Sequence, residues 1–193
     1  MRLRAELIEA LEKVNRRILR SRGGTTALVA IVVNDRLQML NVGDSQALLV
    51  GQQGKVKYMT TAQSPIGYAV EAGVLEYDDA LLHPARHVIS NAVGTQSMSI
   101  EIGPWLRVTR RDTLLMGSDG LFDNLYGMEL VDLSRRGSLQ QAAGRLRVLA
   151  GERMDGAKNA QQPSKPDDLT FLLFRRGASA RGKSSVKASA EKA

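Results

Sequence analysis

Apolar residues recur at helical spacing at the start of the chain. They are Leu3, Leu7, Leu11, Val14 and Ile18, with Glu and Arg residues between them. An apolar stripe on an otherwise charged surface is typical of an amphipathic helix. The pattern predicts a helix over about residues 2–20, which ends before the Gly23-Gly24 pair.

After Gly24 the pattern changes to short stretches rich in β-branched and other apolar residues. Four such stretches follow one another: Thr25–Val33, Leu37–Val42, Gln46–Val50 and Lys55–Thr60. Turn residues separate them, so this part of the chain predicts an antiparallel meander. Because four strands precede any second helix, the pattern argues against a parallel βαβ architecture.

The rest of the chain combines loops, helices and two further strands. Proline and glycine interrupt residues 64–104, which predicts a loop-rich insert. The elements predicted after it are a strand at Thr113–Gly117, helices at Met128–Arg135 and Leu139–Met154, and a strand at Leu169–Phe174. From Gly177 the Ala, Ser, Lys and Gly composition predicts a flexible basic tail. We therefore expect a globular domain over residues 1–176 and a tail over residues 177–193.

Composition excludes several classes of protein. The 193 residues include no cysteine, which excludes disulfides and thiolate metal sites and favours a reducing cytoplasm. No apolar run approaches the roughly 20 residues that cross a bilayer, and the start of the chain lacks a signal-peptide core. We therefore expect a cytoplasmic protein with no membrane partner.

The net charge of +7 is concentrated at the two ends of the chain. Residues 1–22 carry seven Lys or Arg against three Glu, and residues 175–193 carry six against one Glu, which leaves 14 basic and 16 acidic residues between them. A basic tail without interleaved aromatic residues is typical of a solvated segment. We therefore do not expect nucleic-acid binding as the main function, and the sequence leaves the oligomeric state open.

Three aspartate clusters lie at the ends of predicted strands. They are Gly43-Asp44-Ser45, Ser118-Asp119-Gly120 with Asp123, and Asp167-Asp168. Carboxylates gathered at one edge of a sheet suit a hard divalent cation such as Mg²⁺ or Mn²⁺. If a helical turn begins at Asp119, then Asp123 lies on the same face and both can share an ion. The alternative is that Asp and Gly stand here as common turn residues.

The same clusters belong to an ordered set of family motifs. Residues 24–30 (GTTALVA) and 41–47 (NVGDSQA) resemble the GTTA-type strand and VGDSRA-type turn of the PP2C (PPM) family of metal-dependent Ser/Thr protein phosphatases. Residues 114–123 (LLMGSDGLFD) are similar to its LLASDGLFD motif, and residues 167–170 (DDLT) to its DNIT motif. The resemblance covers roughly residues 5–175. It implies an α/β (α+β) fold, a PP2C-like antiparallel β-sandwich flanked by helices, of the bacterial type.

The resemblance also implies roles for individual aspartates. Asp119 and Asp167 match the catalytic ligands of a binuclear Mg²⁺ or Mn²⁺ centre, which activates a water molecule for attack on phosphate. Asp44 and Asp123, together with Asp119, match the positions that hold a third, weaker metal in many bacterial members.

Three neighbours are implied to support these ligands without binding metal. Gly120 would allow close packing at Asp119, and Ser118 and Asp168 would lie behind the ligands. Asp168 departs from the family pattern, because it stands where the DNIT motif has Asn. Its extra negative charge has an effect whose sign the sequence does not give.

A larger departure lies at the start of the chain. The helix at Ala5–Arg20 matches the family's second helix, and the acidic ligand, the DGxGG-type motif and the phosphate-binding Arg that precede it in the family do not occur here. We therefore expect an N-terminally truncated domain that hydrolyses phosphoserine or phosphothreonine of protein substrates weakly or not at all. The alternative function is that of a non-catalytic pseudophosphatase, which binds phosphoproteins or another partner.

Overall fold

The computed structural model describes residues 2–156 and 162–177 of the chain. The predicted tail, apart from Gly177, lies outside the described residues. The first element, α1 (Arg2–Arg20), confirms the predicted helix. The side chains of α1 are exposed or half-buried. The side-chain amide of Asn15 connects α1 to the insert, because its Nδ2 donates to the Thr95 carbonyl over 3.1 Å and its Oδ1 accepts from the Gly94 N–H over 2.5 Å.

The strands form two antiparallel sheets. The first contains β1 (Ala27–Val33), β2 (Arg36–Val42), β5 (Glu101–Ile102) and β6 (Leu106–Arg107), with β2 paired to the other three. The second has the order β4-β3-β7-β8, from β4 (Val56–Met59), β3 (Gln46–Val50), β7 (Thr113–Gly117) and β8 (Phe171–Phe174). The four strands that were predicted early in the chain are therefore present.

The prediction of one continuous meander is wrong, because β2 and β3 lie in different sheets. β1 pairs with β2 over their full length, and β3 pairs with β4 and β7. The chain crosses between the sheets at Gly43-Asp44-Ser45. Strand periodicity specifies which side chains are apolar but not which strand lies alongside, so the crossing could not be read from the pattern.

Burial of β3 on both faces explains the layered arrangement. Ala47 and Leu49 face a core shared with Leu37 and Met39 of the first sheet. The alternate side chains of β3, such as Leu48, lie in a second core with residues of the helices. A strand that is apolar on both faces requires a layer on each side, and here one is a sheet and the other is helical.

The remaining helices complete the fold, and the two longest of them match the helices predicted at Met128–Arg135 and Leu139–Met154. These remaining helices are α2 (Pro65–Glu71), α3 (Tyr77–Ala80), α4 (Asp119–Phe122), α5 (Gly127–Arg135) and α6 (Leu139–Met154). Ser138 begins α6 with a capping box, in which its hydroxyl accepts from the Gln141 N–H and the Gln141 side chain accepts from the Ser138 N–H. Among the described residues, no helix is long and apolar enough to span a membrane.

Candidate metal centre

Strand register brings the three aspartate clusters to one end of the second sheet. Gln46 at the start of β3 pairs with Gly117 at the end of β7. Asp44 and Asp119 lie just beyond this pair, two residues away on each strand. β8 also pairs with β7 up to Gly117, so the turn that contains Asp167 reaches the same end. The prediction that these clusters meet at a sheet edge is confirmed.

Asp119 and Asp123 lie one helical turn apart, as the sequence predicted. Ser118 precedes the helix in extended conformation, and α4 begins directly at Asp119. The Asp123 N–H donates to the Asp119 carbonyl over 2.8 Å. Both side chains therefore lie on one face of α4, where they meet the same partner, Lys165.

The ammonium group of Lys165 lies among three carboxylates. Its Nζ is 2.5 Å from Asp119 Oδ2, 2.8 Å from Asp123 Oδ2 and 3.5 Å from Asp167 Oδ2, and the side chain is 16% exposed. Burial alone would lower the pKa of Lys165, but its hydrogen bonds to Asp119 and Asp123 raise that pKa above the usual value. The amine is therefore held in its charged form.

A buried asparagine fixes the backbone of Lys165. The Asn124 Nδ2 donates to the Lys165 carbonyl and to the Gly120 carbonyl, each over 2.9 Å, and the Asn124 Oδ1 accepts from the Lys165 N–H over 2.7 Å. Asn124 is completely buried. It joins the turn before β8 to α4 and so sets the position from which the lysine side chain extends.

Ser118, Gly120 and Asp168 hold the two strand ends together. The Ser118 hydroxyl donates to the Asp168 carbonyl over 3.2 Å and accepts from the Thr170 N–H over 3.3 Å. A Cβ added at Gly120 would collide with the Asp168 carbonyl oxygen, so only glycine permits this approach. The predicted close packing at Gly120 is therefore seen, between α4 and the turn before β8.

Asp44 lies in the turn that crosses between the sheets. Gly43 has φ +104°, and a Cβ there would overlap the Thr26 side chain. The Gly43 N–H donates to Gln63 Oε1 over 2.6 Å, which anchors the turn to the residue just before the insert. Burial, and then the nearby charge of Asp119, raises the pKa of Asp44 above its usual value, so its carboxylate is electrostatically unfavourable here.

A cavity of about 310 Å³ opens beside Asp44 and Asp123. Helices α2 and α3 of the insert form much of its wall, and Tyr77 donates its hydroxyl proton to the Phe122 carbonyl over 2.9 Å. Arg86 adds a positive group, whose guanidinium donates to the Leu81 and Ser164 carbonyls. The cavity therefore places an apolar recess next to the acidic cluster.

The donor set fits a hard divalent cation by its chemistry. All four aspartates offer carboxylate oxygens, the ligands that Mg²⁺ and Mn²⁺ prefer. Within residues 2–156 and 162–177, however, no three Asp, Glu or His side chains are close enough to hold a metal ion as they stand. Three of the carboxylates are instead spaced around Lys165.

Comparison with known proteins agrees with this geometry. The sequence profile of the family described as Protein phosphatase 2C matches residues 2–66. A serine/threonine phosphatase stp of Listeria welshimeri is 26% identical over 162 residues, which are 83% of this chain and 60% of that protein. The PPM Ser-Thr phosphatase MsPP of Mycobacterium smegmatis superimposes with a TM-score of 0.75 at 25% identity, over 90% of this chain and 74% of that one. The chain therefore resembles the protein phosphatase 2C family in its first 66 residues and shares the fold of a solved Ser-Thr phosphatase over most of its length.

A further solved member of this fold carries metal. The catalytic domain of the phosphatase PstP, solved in complex with two manganese ions, superimposes with a TM-score of 0.64 at 21% identity, over 82% of this chain and 65% of that one. The present chain spans about 60% of the length of the Listeria relative. The PP2C profile matches the part of this chain that contains Asp44, whereas Asp119 and Asp167 lie beyond the matched residues.

Sequence reasoning missed Lys165 and Asn124. Lys165 lies two residues before a predicted ligand, but a lysine in a Lys-Pro-Asp-Asp turn is also what a solvated loop contains. Asn124 directly follows Asp123, and only the fold shows that its amide spans two segments. The signal that the sequence offered was one basic residue, Lys165, close to the acidic pair Asp167 and Asp168.

Proposed function

We propose that this chain carries the acidic side of a metal-dependent protein serine/threonine phosphatase active site. The observation that supports it best is the convergence of Asp44, Asp119, Asp123 and Asp167 at one sheet end, in a chain whose first 66 residues resemble the PP2C family. The proposed substrates are phosphoserine and phosphothreonine of proteins, and the proposed setting is signalling in the cytoplasm of a bacterium.

The roles proposed for the residues follow the resemblance. Asp119 and Asp167 would hold two divalent cations, Mg²⁺ or Mn²⁺, and Asp44 and Asp123 would complete a third, weaker position with Asp119. When bound, the cations would supply an activated water and neutralise phosphate charge.

The substrate would approach from the cavity beside Asp44 and Asp123. Its phosphate would meet the acidic cluster, while the apolar wall formed by the insert would accept neighbouring side chains of the phosphoprotein. Ser118, Gly120 and Asp168 would act at a distance, by holding α4 against the turn before β8.

A second candidate function, a pseudophosphatase that binds phosphoproteins without hydrolysing them, is favoured by one observation. Lys165 already provides a cation to the carboxylates. A chain whose acidic cluster is partly neutralised by its own lysine can keep the fold and the cavity without holding a metal.

The two functions are separated by measuring Mn²⁺-dependent hydrolysis of a phosphothreonine peptide. We expect slow turnover or none by residues 1–193, and faster turnover by the longest protein that the gene encodes. In that protein Asp119→Ala and Asp167→Ala should lower the rate by several powers of ten. Asp132→Ala is the control, because Asp132 pairs with Arg135 on α5, away from the cluster.

If hydrolysis is equally fast with and without Asp119, the proposed active site is wrong. If neither protein hydrolyses the peptide but both bind it, the pseudophosphatase function replaces the enzyme. Equilibrium binding of a fluorescent phosphopeptide, in EDTA and in Mn²⁺, provides that second measurement.

A further inference from the structure

The acidic side chains at the end of the second sheet are arranged around an amine of the chain itself. We infer that Lys165 is the resident counter-ion of this cluster, and that Lys165 and a divalent cation exclude each other there. The first half of the inference rests on the contacts of Lys165 alone. The second half also rests on the proposed function, because it concerns the metal.

The charge balance gives Lys165 its importance. Four carboxylates, those of Asp44, Asp119, Asp123 and Asp167, lie near one ammonium group. Carboxylates repel one another, and partly buried charges are screened less than exposed ones. Removing the ammonium would leave the cluster without its nearest positive charge, so the fold without metal should depend on it.

Distances make the two cations alternatives. Nζ lies 2.5 and 2.8 Å from the Oδ2 atoms of Asp119 and Asp123. A divalent cation binds carboxylate oxygens at about 2.0–2.6 Å, depending on the ion. An ion on these same two oxygens would therefore lie within contact distance of the ammonium, and two positive centres cannot share that space.

The backbone allows Lys165 to give way without unfolding. Asn124 holds both the N–H and the carbonyl of Lys165, so the turn stays in place while the flexible four-carbon side chain rotates. Lys165 also lines a cavity of about 300 Å³ together with His83 and His87. That cavity offers room for the displaced side chain.

The test compares two lysine-to-methionine variants in EDTA and in MnCl₂. Lys165→Met removes the proposed counter-ion and keeps an unbranched apolar stem. Lys57→Met is the matched control, because Lys57 forms a 2.5 Å ion pair with Asp112, which is not one of the four clustered aspartates. Thermal unfolding reports stability, and electron paramagnetic resonance of free Mn²⁺ reports the affinity for the metal.

We expect Lys165→Met to unfold at a lower temperature than the parent in EDTA. It should bind Mn²⁺ at least about tenfold more tightly than the parent, and Mn²⁺ should restore its stability, because a ligand of the folded state stabilises that state. Lys57→Met should also lose stability in EDTA but should bind Mn²⁺ as the parent does. A Lys165→Met protein with the parent's Mn²⁺ affinity would overturn the exclusion, and unchanged stability in EDTA would overturn the counter-ion role.

A second measurement uses the unaltered chain, in case Lys165→Met does not fold. Lysine acylation followed by mass spectrometry reports how accessible each amine is. Mn²⁺ should increase the labelling of Lys165 severalfold and leave that of Lys57 unchanged. Labelling of Lys165 that Mn²⁺ leaves constant, at a concentration where the metal is bound, contradicts the inference.

None of these measurements uses turnover. A Lys165→Met protein that binds Mn²⁺ more tightly and hydrolyses nothing supports the inference and counts against the proposed enzyme. A chain that hydrolyses phosphopeptide while Lys165 keeps its labelling supports the enzyme and refutes the inference.

Discussion

The two sides of the acidic cluster contain the same kind of side chain but differ in their contact with the chain's own ammonium group. On the α4 side, Asp119 and Asp123 share the ammonium of Lys165 at 2.5 and 2.8 Å. On the other side, burial and the charge of Asp119 raise the pKa of Asp44. Burial raises the pKa of Asp123 as well, although Lys165 opposes that rise. The fold therefore gives the α4 side direct ion pairs that offset part of the cost of burial, whereas among the described residues Asp44 makes no ion pair.

This difference shows where a bound cation would contribute most. Around α4 a bound cation would have to replace the Lys165 ammonium. The stability that it adds is reduced by the loss of the ion pairs that Lys165 makes. Near Asp44 it would offset the cost of burial and the repulsion from Asp119, which Lys165 relieves only in part. The predictions below separate these two sides, beginning with the largest expected effect.

The largest effect is expected from Asn124→Ala, on the α4 side. The substitution leaves the Lys165 N–H and two carbonyls without their partner in a buried site, and each such group costs about 1–3 kcal/mol. We expect the free energy of unfolding to fall by about 3 kcal/mol, measured by urea denaturation. Gln140→Ala, on the exposed face of α6, should change it by less than about 0.5 kcal/mol. Equal effects of the two substitutions would refute the role of Asn124.

The next effect is expected at the turn that carries Asp44. Gly43→Ala puts a Cβ at φ +104° and against the Thr26 side chain, so we expect a loss of about 2 kcal/mol. Gly73→Ala is the matched control, since Gly73 also has a positive φ (+68°) but has no atom within 4 Å of an added Cβ. The difference between the two losses measures the clash with Thr26. If Gly73→Ala costs as much, the turn is constrained by its backbone dihedral alone.

A gain in stability is expected from Asp44→Asn. The raised pKa of Asp44 means that ionising this group in the folded state costs stability. As far as this group is concerned, the protein keeps its full stability below about pH 3.9, where the group is protonated in both the folded and the unfolded state, and loses part of that stability as pH rises through the raised pKa. Asn does not ionise, so in EDTA the variant should match the parent at low pH and exceed it at pH 7. The rise in melting temperature at pH 7 should be small, because solvent screens part of the repulsion at this partly exposed group. A variant that melts below the parent at pH 7 would show that this carboxylate is favourably placed.

The smallest effect is expected from Asp168→Asn, which restores the residue found in the DNIT motif. Asp168 is exposed, and its backbone carbonyl and N–H make the hydrogen bonds to Ser118 and Asp167. We expect a change in unfolding free energy within about 0.5 kcal/mol in EDTA, by thermal unfolding. A larger gain would show that the fifth carboxylate adds to the repulsion in the cluster.

Local sequence patterns predicted most elements because each one satisfies its own periodicity. The α1 and α6 helices, and the β3 and β7 strands, lie where the spacing of apolar residues placed them. What the pattern could not supply was pairing. Which strand lies beside β3 depends on contacts between residues far apart in sequence, and so the crossing at Gly43–Ser45 was missed.

The candidate site shows the same limit more sharply. Carboxylates at strand ends were visible in the sequence, because Asp residues flank apolar runs at three places. The role of Lys165 was not visible, since it lies 46 positions after Asp119 in the sequence and only the fold brings the two side chains together. The positions of ligands were therefore predictable, whereas the charge that balances them was not.

The crossing between the sheets has a mechanical consequence. Asp44 is attached to β2 of the first sheet as well as to β3 of the second, while Asp119 follows β7 of the second sheet. Sliding one sheet over the other would therefore pull on the Asp44 turn while Asp119 stayed with its own sheet. The distance between these two carboxylates therefore depends on how the two sheets pack against each other. The side chains between the sheets, such as Met39 and Leu49, influence the geometry of the acidic cluster from a distance.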